Sequence, residues 1–228
     1  MIGGVPGVMA RDFAYVAVEL PDERLEAGAE RLRLSWPKRF IDLMGAGFGL
    51  LFLSPFLLLV ALAIVIDSRG PALFRQRRSG LNGATFTIYK FRTMSVLEDG
   101  PDLVQADRCD VRTTRIGVFL RRTSIDELPN LLNVVRGEMS LVGPRPHALA
   151  HDAYFGAMIP GYSERYRTKP GLTGLAQVSG LRGKTENVRE MAARVDSDIE
   201  YIREWSFGLD IELLFRTVLI GPMHPSAY

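Results

Sequence analysis

Residues 43–66, LMGAGFGLLFLSPFLLLVALAIVI, run for 24 positions without a charge. A straight α-helix of that length measures about 36 Å, enough to cross a hydrocarbon core of about 30 Å. Ser54-Pro55 sits at its middle. Proline deletes one backbone hydrogen bond and crowds the preceding turn, so a kink is expected there. Each half then has only about 11 residues, too few to cross alone. The flanks are equally basic: Arg31, Arg33, Lys38 and Arg39 before the segment, Arg69, Arg75, Arg77 and Arg78 after it. A spanning helix is oriented by an asymmetry of basic residues. Equal flanks suit a re-entrant helix-break-helix that enters and leaves on the cytoplasmic face, with Ser54 and Pro55 as the break. A bitopic helix with a tolerated proline is the competing reading.

After the membrane segment, residues 72–78 (ALFRQRR) and 84–94 (ATFTIYKFRTM) are rich in aromatic and β-branched residues. Gly80-Leu81-Asn82-Gly83 joins them with a turn signal, so a β-hairpin is expected. It lies where anionic headgroups attract basic side chains. Lys90 and Arg92, two apart, are expected on one face of the strand. Residues 96–114 are polar and carry Glu98, Asp99, Asp102, Asp107 and Asp110, which read as a surface loop. Ile116, Phe119 and Leu120 suggest a short amphipathic helix beyond it.

Residues 120–146, LRRTSIDELPNLLNVVRGEMSLVGPRP, hold the chemistry. Two arginines and a Thr-Ser precede the adjacent carboxylates Asp126 and Glu127. Ser124 with Glu127 three residues on has the form of a capping box, and Leu128, Leu131, Leu132 and Val135 follow at helical spacing. Both acids are thus expected in the first turn of a helix, whose dipole would keep Asp126 ionised. Arginine presents a planar fork suited to phosphate. Two acids beside two arginines suit a phosphate bridged by a divalent cation. On this fragment alone, a capped helix with surface arginines accounts for the same residues.

The 228 residues suit one domain, with a near-balance of 28 basic and 26 acidic side chains that gives no sign of nucleic-acid binding. Cys109 is the sole cysteine, which excludes an intrachain disulfide and a Cys-based metal site. His147, His151 and His224 form no HExxH-type pattern and read as ordinary polar residues. No basic-then-apolar secretory signal is seen at the start; Leu25, Ala29 and Leu32 suggest a short amphipathic helix. Residues 169–174 (KPGLTG) predict a rigid loop whose backbone can approach a ligand. Helices are expected at 188–203, with Met191, Val195, Ile199 and Ile202 on one face, and at 209–220. The second of these suits either the membrane interface or the core.

These motifs together resemble the bacterial sugar transferases, the monotopic phosphoglycosyl transferases. The matching runs are Lys38-Arg39-Phe40-Ile41-Asp42, Ser54-Pro55, Phe74-Arg75-Gln76, Gly80-Leu81-Asn82-Gly83, Tyr89-Lys90-Phe91-Arg92-Thr93-Met94, residues 121–146 and residues 169–180. The chain is similar to the short members that initiate exopolysaccharides with galactose or glucose, and looks most like the succinoglycan-type galactosyl initiators. Leu175-Ala-Gln-Val-Ser179 departs from the family, which often has Trp and Asn at the outer positions.

The resemblance implies a mostly helical α/β protein with a small β-hairpin, embedded monotopically in the cytoplasmic face of the bacterial inner membrane. It implies an N-terminal arm (1–37), a re-entrant helix-break-helix (38–67) and a cytoplasmic catalytic domain (68–228). Asp126 would be the nucleophile on the β-phosphate of a UDP-sugar, releasing UMP. Undecaprenyl phosphate would take the phosphosugar from the aspartyl intermediate. Glu127 would hold Mg²⁺, Arg121 would bind phosphate, Pro144, Arg145 and Pro146 would shape the donor pocket, and Lys90 and Arg92 would add positive charge. Membrane lipid is an implied partner and the sequence leaves room for a homodimer. A non-catalytic scaffold for glycan assembly and a metal-dependent nucleotide-sugar hydrolase are the alternative functions.

Overall fold

The computed structural model describes residues 22–95, 110–183, 185 and 187–220. Glu98, Asp99, Asp102 and Asp107 of the expected acidic loop lie outside these residues. At the loop's end Asp110 pairs with Arg112 at 2.7 Å.

Helix α1 (Glu23–Leu34) is capped by Asp22, whose Oδ1 accepts the Leu25 N–H at 3.1 Å. Its predicted stripe buries Leu25 and Leu32 against α7 (Val188–Arg203). Helix α2 (Trp36–Asp67) has 32 residues and holds the whole apolar stretch. It measures about 48 Å. Ser35 caps its start, accepting the Lys38 N–H at 3.3 Å. The helical run continues through Ser54-Pro55. Pro55 has no N–H for the Leu51 carbonyl, and the Ser54 hydroxyl donates to that same carbonyl at 2.8 Å. The serine thus replaces the bond that the proline deletes, which is how the pair fits inside a helix.

One side of α2 lies on the protein body along its length. Near the start, buried Lys38 donates from Nζ to Asp210 Oδ2 (2.7 Å), Val142 O (2.9 Å) and Tyr201 OH (3.0 Å). Asp210 belongs to α8 (Phe207–Ile220). One turn on, Asp42 accepts from Ser140 Oγ (3.0 Å) and Leu141 N (2.8 Å). Ala46 then packs with Leu131 and Val134, and Ile64 with Phe91 and Leu120. At the far end Asp67 Oδ2 accepts the Ile116 N–H at 3.3 Å. The opposite side, including Phe48, Leu51, Phe52, Leu58, Leu59, Leu62 and Ile66, is exposed.

Strands β1 (Leu73–Ser79) and β2 (Thr85–Phe91) form the expected antiparallel hairpin, with Leu73 opposite Phe91 and Ser79 opposite Thr85. Asn82 takes φ 55° in its turn. Arg92 departs from expectation. It lies just past the strand's end, so the two-residue alternation does not carry Lys90's direction to it. Its side chain is buried, donating to Pro71 O and Arg69 O at 2.7 Å each and to Ser68 O at 2.8 Å. The guanidinium satisfies the carbonyls that follow α2, where helix ends leave acceptors unpaired. It is thereby withheld from any substrate.

The acid-bearing stretch also departs from expectation. Helix α3 (Arg115–Thr123) ends at Ser124, which takes a left-handed φ of 56°. Ser124 therefore closes one helix and makes no side-chain cap for the next. A 3₁₀ turn (Ile125–Asn130) carries Asp126 and Glu127, and α4 (Leu131–Arg136) begins only after it. The expected capping box does not form because Glu127's carboxylate is engaged elsewhere.

A parallel strand pair, invisible in the sequence, sets the Gly143-Pro144-Arg145-Pro146 turn. Strand β3 (Ser140–Val142) pairs with β4 (Gly171–Thr173), Ser140 opposite Gly171 and Val142 opposite Thr173. A Cβ on Gly171 would stand 2.1 Å from Gly143 N, and one on Gly174 would stand 2.2 Å from Gly143 O. The glycines of 169–174 are thus required for close approach to the backbone before Pro144, where a ligand was expected. Helix α5 (Leu149–Gly156) follows the turn. In α7 Met191, Val195, Ile199 and Ile202 are all buried, as their spacing predicts. In α8 Leu213 is buried while Phe207, Ile211, Phe215, Val218 and Leu219 are exposed. Only its inner face belongs to the core.

Candidate active site

The site is assembled from three separate pieces of chain. Asn130 and Asn133 follow the acids, and both Oδ1 atoms accept the Tyr89 N–H, at 3.2 and 3.3 Å. Asn133 also donates to Thr87 O at 2.7 Å. These bonds dock the acidic turn on β2 and bring Lys90 beside Glu127. The β3–β4 pair delivers Arg145 from the other side.

Glu127 is gripped by both. Lys90 Nζ donates to Oε1 at 2.7 Å; Arg145 donates from Nη2 to Oε1 at 2.5 Å and from Nη1 to Oε2 at 3.1 Å. The Lys90 and Glu127 side chains each keep 18% exposure, opening on a cavity of about 150 Å³. That cavity is also lined by Arg78, Arg145, Pro146, His147, His151 and Arg194. Cations dominate its wall, as the binding of a polyanionic ligand requires.

Burial opposes the charge on Glu127, but Arg145 and Lys90 outweigh it and hold the carboxyl well below the usual carboxylate range. For Asp126 the balance reverses. Burial first, and then the neighbouring Glu127 charge, push it up to about 6 against the partial relief of Lys90, Arg145 and Arg121. Two adjacent acids thus sit in environments that drive their proton affinities apart, the arrangement expected where two carboxyls serve different roles. At pH 7, above that value, the ionised form of Asp126 still predominates. The helix-dipole reason expected for that does not hold, because no α-helix starts at the pair. Burial pushes Lys90 down from the ordinary lysine range, with the Glu127 charge opposing the shift.

The structure thus gathers Asp126, Glu127, Lys90, Arg145 and Pro146. Arg121 sits in the last turn of α3, donates to Thr113 Oγ1 at 3.2 Å and acts on Asp126 through its charge. Pro144 lines a smaller recess beside Arg165 and Tyr166. Arg92, Ser54 and Pro55 lie elsewhere. The sequence did not place Arg78, Arg194, Asn130, His147 or His151 at the site: Arg78 read as a basic flank of the membrane segment and the histidines as ordinary polar residues, and only the short distance of the histidines from Arg145 offered a signal.

A metal would find one suitable ligand here. Mg²⁺ is usually held by one or two carboxylates, with substrate phosphates and water supplying the remaining oxygens. Glu127, ionised and facing the cavity, fits that pattern. No group of three His, Cys, Asp or Glu side chains is gathered for a metal among the described residues. A cation on Glu127 would take over oxygens that now serve Lys90 and Arg145.

Residues 33–222 match the model of the bacterial sugar transferase family. The chain belongs to that family. It is 57% identical over 188 residues to the UDP-glucose:undecaprenyl-phosphate glucose-1-phosphate transferase of Caulobacter vibrioides, a match covering 82% of this chain and 70% of that protein. The Escherichia coli K12 protein of the same name is 48% identical over 84% of this chain and 41% of its own length. The exopolysaccharide production protein PSS of Rhizobium leguminosarum is 46% identical over 80% of this chain and 93% of its own. This sugar transferase therefore spans under half of some curated relatives and nearly all of others.

The shifted carboxyl gives a testable pH dependence. If Asp126 is the nucleophile that the family resemblance implies, it must be ionised to attack phosphorus, and release of UMP from a UDP-sugar without acceptor should fall as pH drops through about 6. Glu127 stays ionised throughout. The check is a pH profile of donor-only UMP release under single-turnover conditions, which excludes titration of a lipid phosphate. A rate unchanged down to pH 4.5 would contradict the burial argument.

Proposed function

We propose that the protein moves a hexose-1-phosphate from a UDP-sugar to undecaprenyl phosphate and so initiates an exopolysaccharide or related glycan. The observation that carries this reading is the unequal acid pair: Glu127 clasped by Lys90 and Arg145, with Asp126 beside it at raised proton affinity. The names of the relatives favour UDP-glucose as donor, in place of the galactosyl resemblance.

Asp126 attacks the β-phosphorus of the donor; the bond to the UMP oxygen breaks, and a phosphosugar–aspartyl acyl phosphate forms. The phosphate of undecaprenyl phosphate then attacks that phosphorus, releasing Asp126 and giving the lipid diphosphosugar. Such displacements depend on in-line positioning and on neutralising phosphate charge. Lys90 and Arg145 lie on the cavity wall to supply that charge, and Arg121 adds to it at Asp126. Pro144 and Pro146 fix the backbone on either side of Arg145. Mg²⁺ bound to Glu127 would neutralise the diphosphate further.

The acceptor's phosphate lies at headgroup depth, and the placement of α2 suits this. We propose that α2 enters and leaves the cytoplasmic leaflet of the inner membrane, bending at Ser54-Pro55. Both its ends are tied to one body, Lys38 to Asp210 at the start and Asp67 to Ile116 at the end. A helix crossing the bilayer would have to carry one of those ends to the far side. Residues 68–228 then form the cytoplasmic catalytic domain and 1–37 an arm; a homodimer is compatible with this arrangement.

Two tests follow. Incubated with a panel of UDP-sugars, Mg²⁺ and undecaprenyl phosphate, the protein should release UMP fastest from UDP-glucose, and Glu127→Gln should lower the rate by roughly 10²–10³-fold. No lipid-dependent UMP release from any donor would refute the activity. Cysteines placed at Ser35 and Ser68 should both resist an impermeant reagent in intact cells. Labelling of one end from outside would refute the one-sided insertion.

A further inference from the structure

Behind Arg145 lies a buried polar network that the transfer chemistry leaves unexplained. Arg165, 3% exposed, is anchored on α7 by Asp198, whose Oδ2 accepts from Nε at 3.0 Å and from Nη2 at 2.7 Å. Its Nη2 also donates to the Arg145 carbonyl at 2.5 Å, and its Nη1 donates to His147 Nδ1 at 2.6 Å. The Tyr162 hydroxyl lies 2.8 Å from the same Nδ1 and 2.8 Å from Asp152 Oδ1, and its single proton serves one of the two at a time.

These contacts fix the state of the imidazole. A guanidinium has no acceptor and cannot lose a proton in a protein, so Nδ1 must be the unprotonated nitrogen. The single proton of neutral His147 is therefore on Nε2. Burial, with the charges of Arg165, Arg78, Arg194 and Arg145, holds the ring well below the usual histidine range, so the second proton stays off. His147 lines the cation-walled cavity, and among the described residues its bonds all run through Nδ1. Nε2–H is the part of the ring left to meet a ligand.

We infer that His147 is a substrate-contacting hydrogen-bond donor, its Nε2–H offered to an oxygen of the nucleotide part of the donor, and that Arg165 is the positioning residue that sets its tautomer. The inference rests on the reading of this cavity as the donor site. The nucleotide part is chosen because in-line attack by Asp126 places the leaving UMP on the far side of the phosphorus from the nucleophile. The cavity extends from Glu127 toward Arg78, His147 and Arg194 and is not lined by Asp126. A fixed neutral donor adds orientation without adding to the crowd of cations that UMP must leave.

The chain has three histidines, so imidazole signals can be assigned by single substitutions. The experiment is long-range ¹H–¹⁵N correlation on full-length protein labelled at histidine, in lipid nanodiscs, with and without UMP. His147 should show the neutral Nε2–H pattern, and its Nε2 resonance should move on addition of UMP. In Arg165→Met the tautomer preference should be lost. In steady-state kinetics His147→Phe should raise KM for the donor about tenfold, the effect of one lost hydrogen bond, and His147→Gln, which keeps a donor near that position, should recover most of it. A protonated or Nδ1–H ring in the wild type would overturn the inference. So would an Nε2 signal unmoved at a UMP concentration that inhibits transfer. Failure of UMP to inhibit, with no UMP formed from any donor, would refute instead the reading of the cavity; the tautomer measurement is independent of it.

Discussion

The site depends on one carboxylate held between two cations from different parts of the chain. Glu127 collects Lys90 from the hairpin and Arg145 from the turn after β3, within 2.7 and 2.5 Å. An ion pair withdrawn from water is costly unless its geometry and hydrogen bonds are good. Here Arg145 binds both oxygens and Lys90 adds a third bond, so the charge is well compensated. The two cations are thereby stationed on a cavity wall before any substrate arrives. The same fixed negative charge acts on Asp126, helping burial to raise its proton affinity to about 6. A carboxylate with raised basicity is a better nucleophile, provided the working pH leaves it ionised.

The helix that is long and apolar enough for membrane association is also built into the candidate site. Its outward side exposes bulky apolar side chains, while its inward side packs on the body that carries the candidate site. Lys38 and Asp42 belong to the inward side. They hold Val142, Ser140 and Leu141 of β3, and β3 leads directly into Gly143-Pro144-Arg145-Pro146. Arg92 performs a similar service at the other end, closing the carbonyls after α2 while anchoring β2, which carries Lys90. Movement of α2 in the membrane would thus be felt on both sides of Glu127. On the proposed function, embedding and catalysis would share one set of buried polar contacts.

Features written in local sequence were legible. The hairpin, the stripe of α7 and the length of the apolar segment follow from periodicity and turn residues, and all three are present. Asp126, Glu127, Lys90 and Arg145, which the family resemblance picked out, lie together in the structure. What was not legible depended on long-range pairing. The β3–β4 strands have three residues each and pair across about thirty positions, so no alternation announces them. Arg92 looks the same in sequence as Lys90; only the strand's end at Phe91 separates a structural cation from one at the site. The capping box failed because Glu127 gains more from two cations than from a backbone N–H. His147 read as an ordinary polar residue because its meaning comes from Arg165 and Tyr162, eighteen and fifteen positions away.

The central claim is that Asp126 carries the phosphosugar covalently while Glu127 does not. Intact-protein mass spectrometry after quenching the enzyme with UDP-glucose and Mg²⁺, in the absence of acceptor, tests it most directly. The expected result is a species heavier by one hexose phosphate, located on Asp126 by peptide mapping, absent from Asp126→Asn and discharged by undecaprenyl phosphate. An Asp126→Asn protein that still forms the adduct, or that still turns over at the wild-type rate, would contradict it.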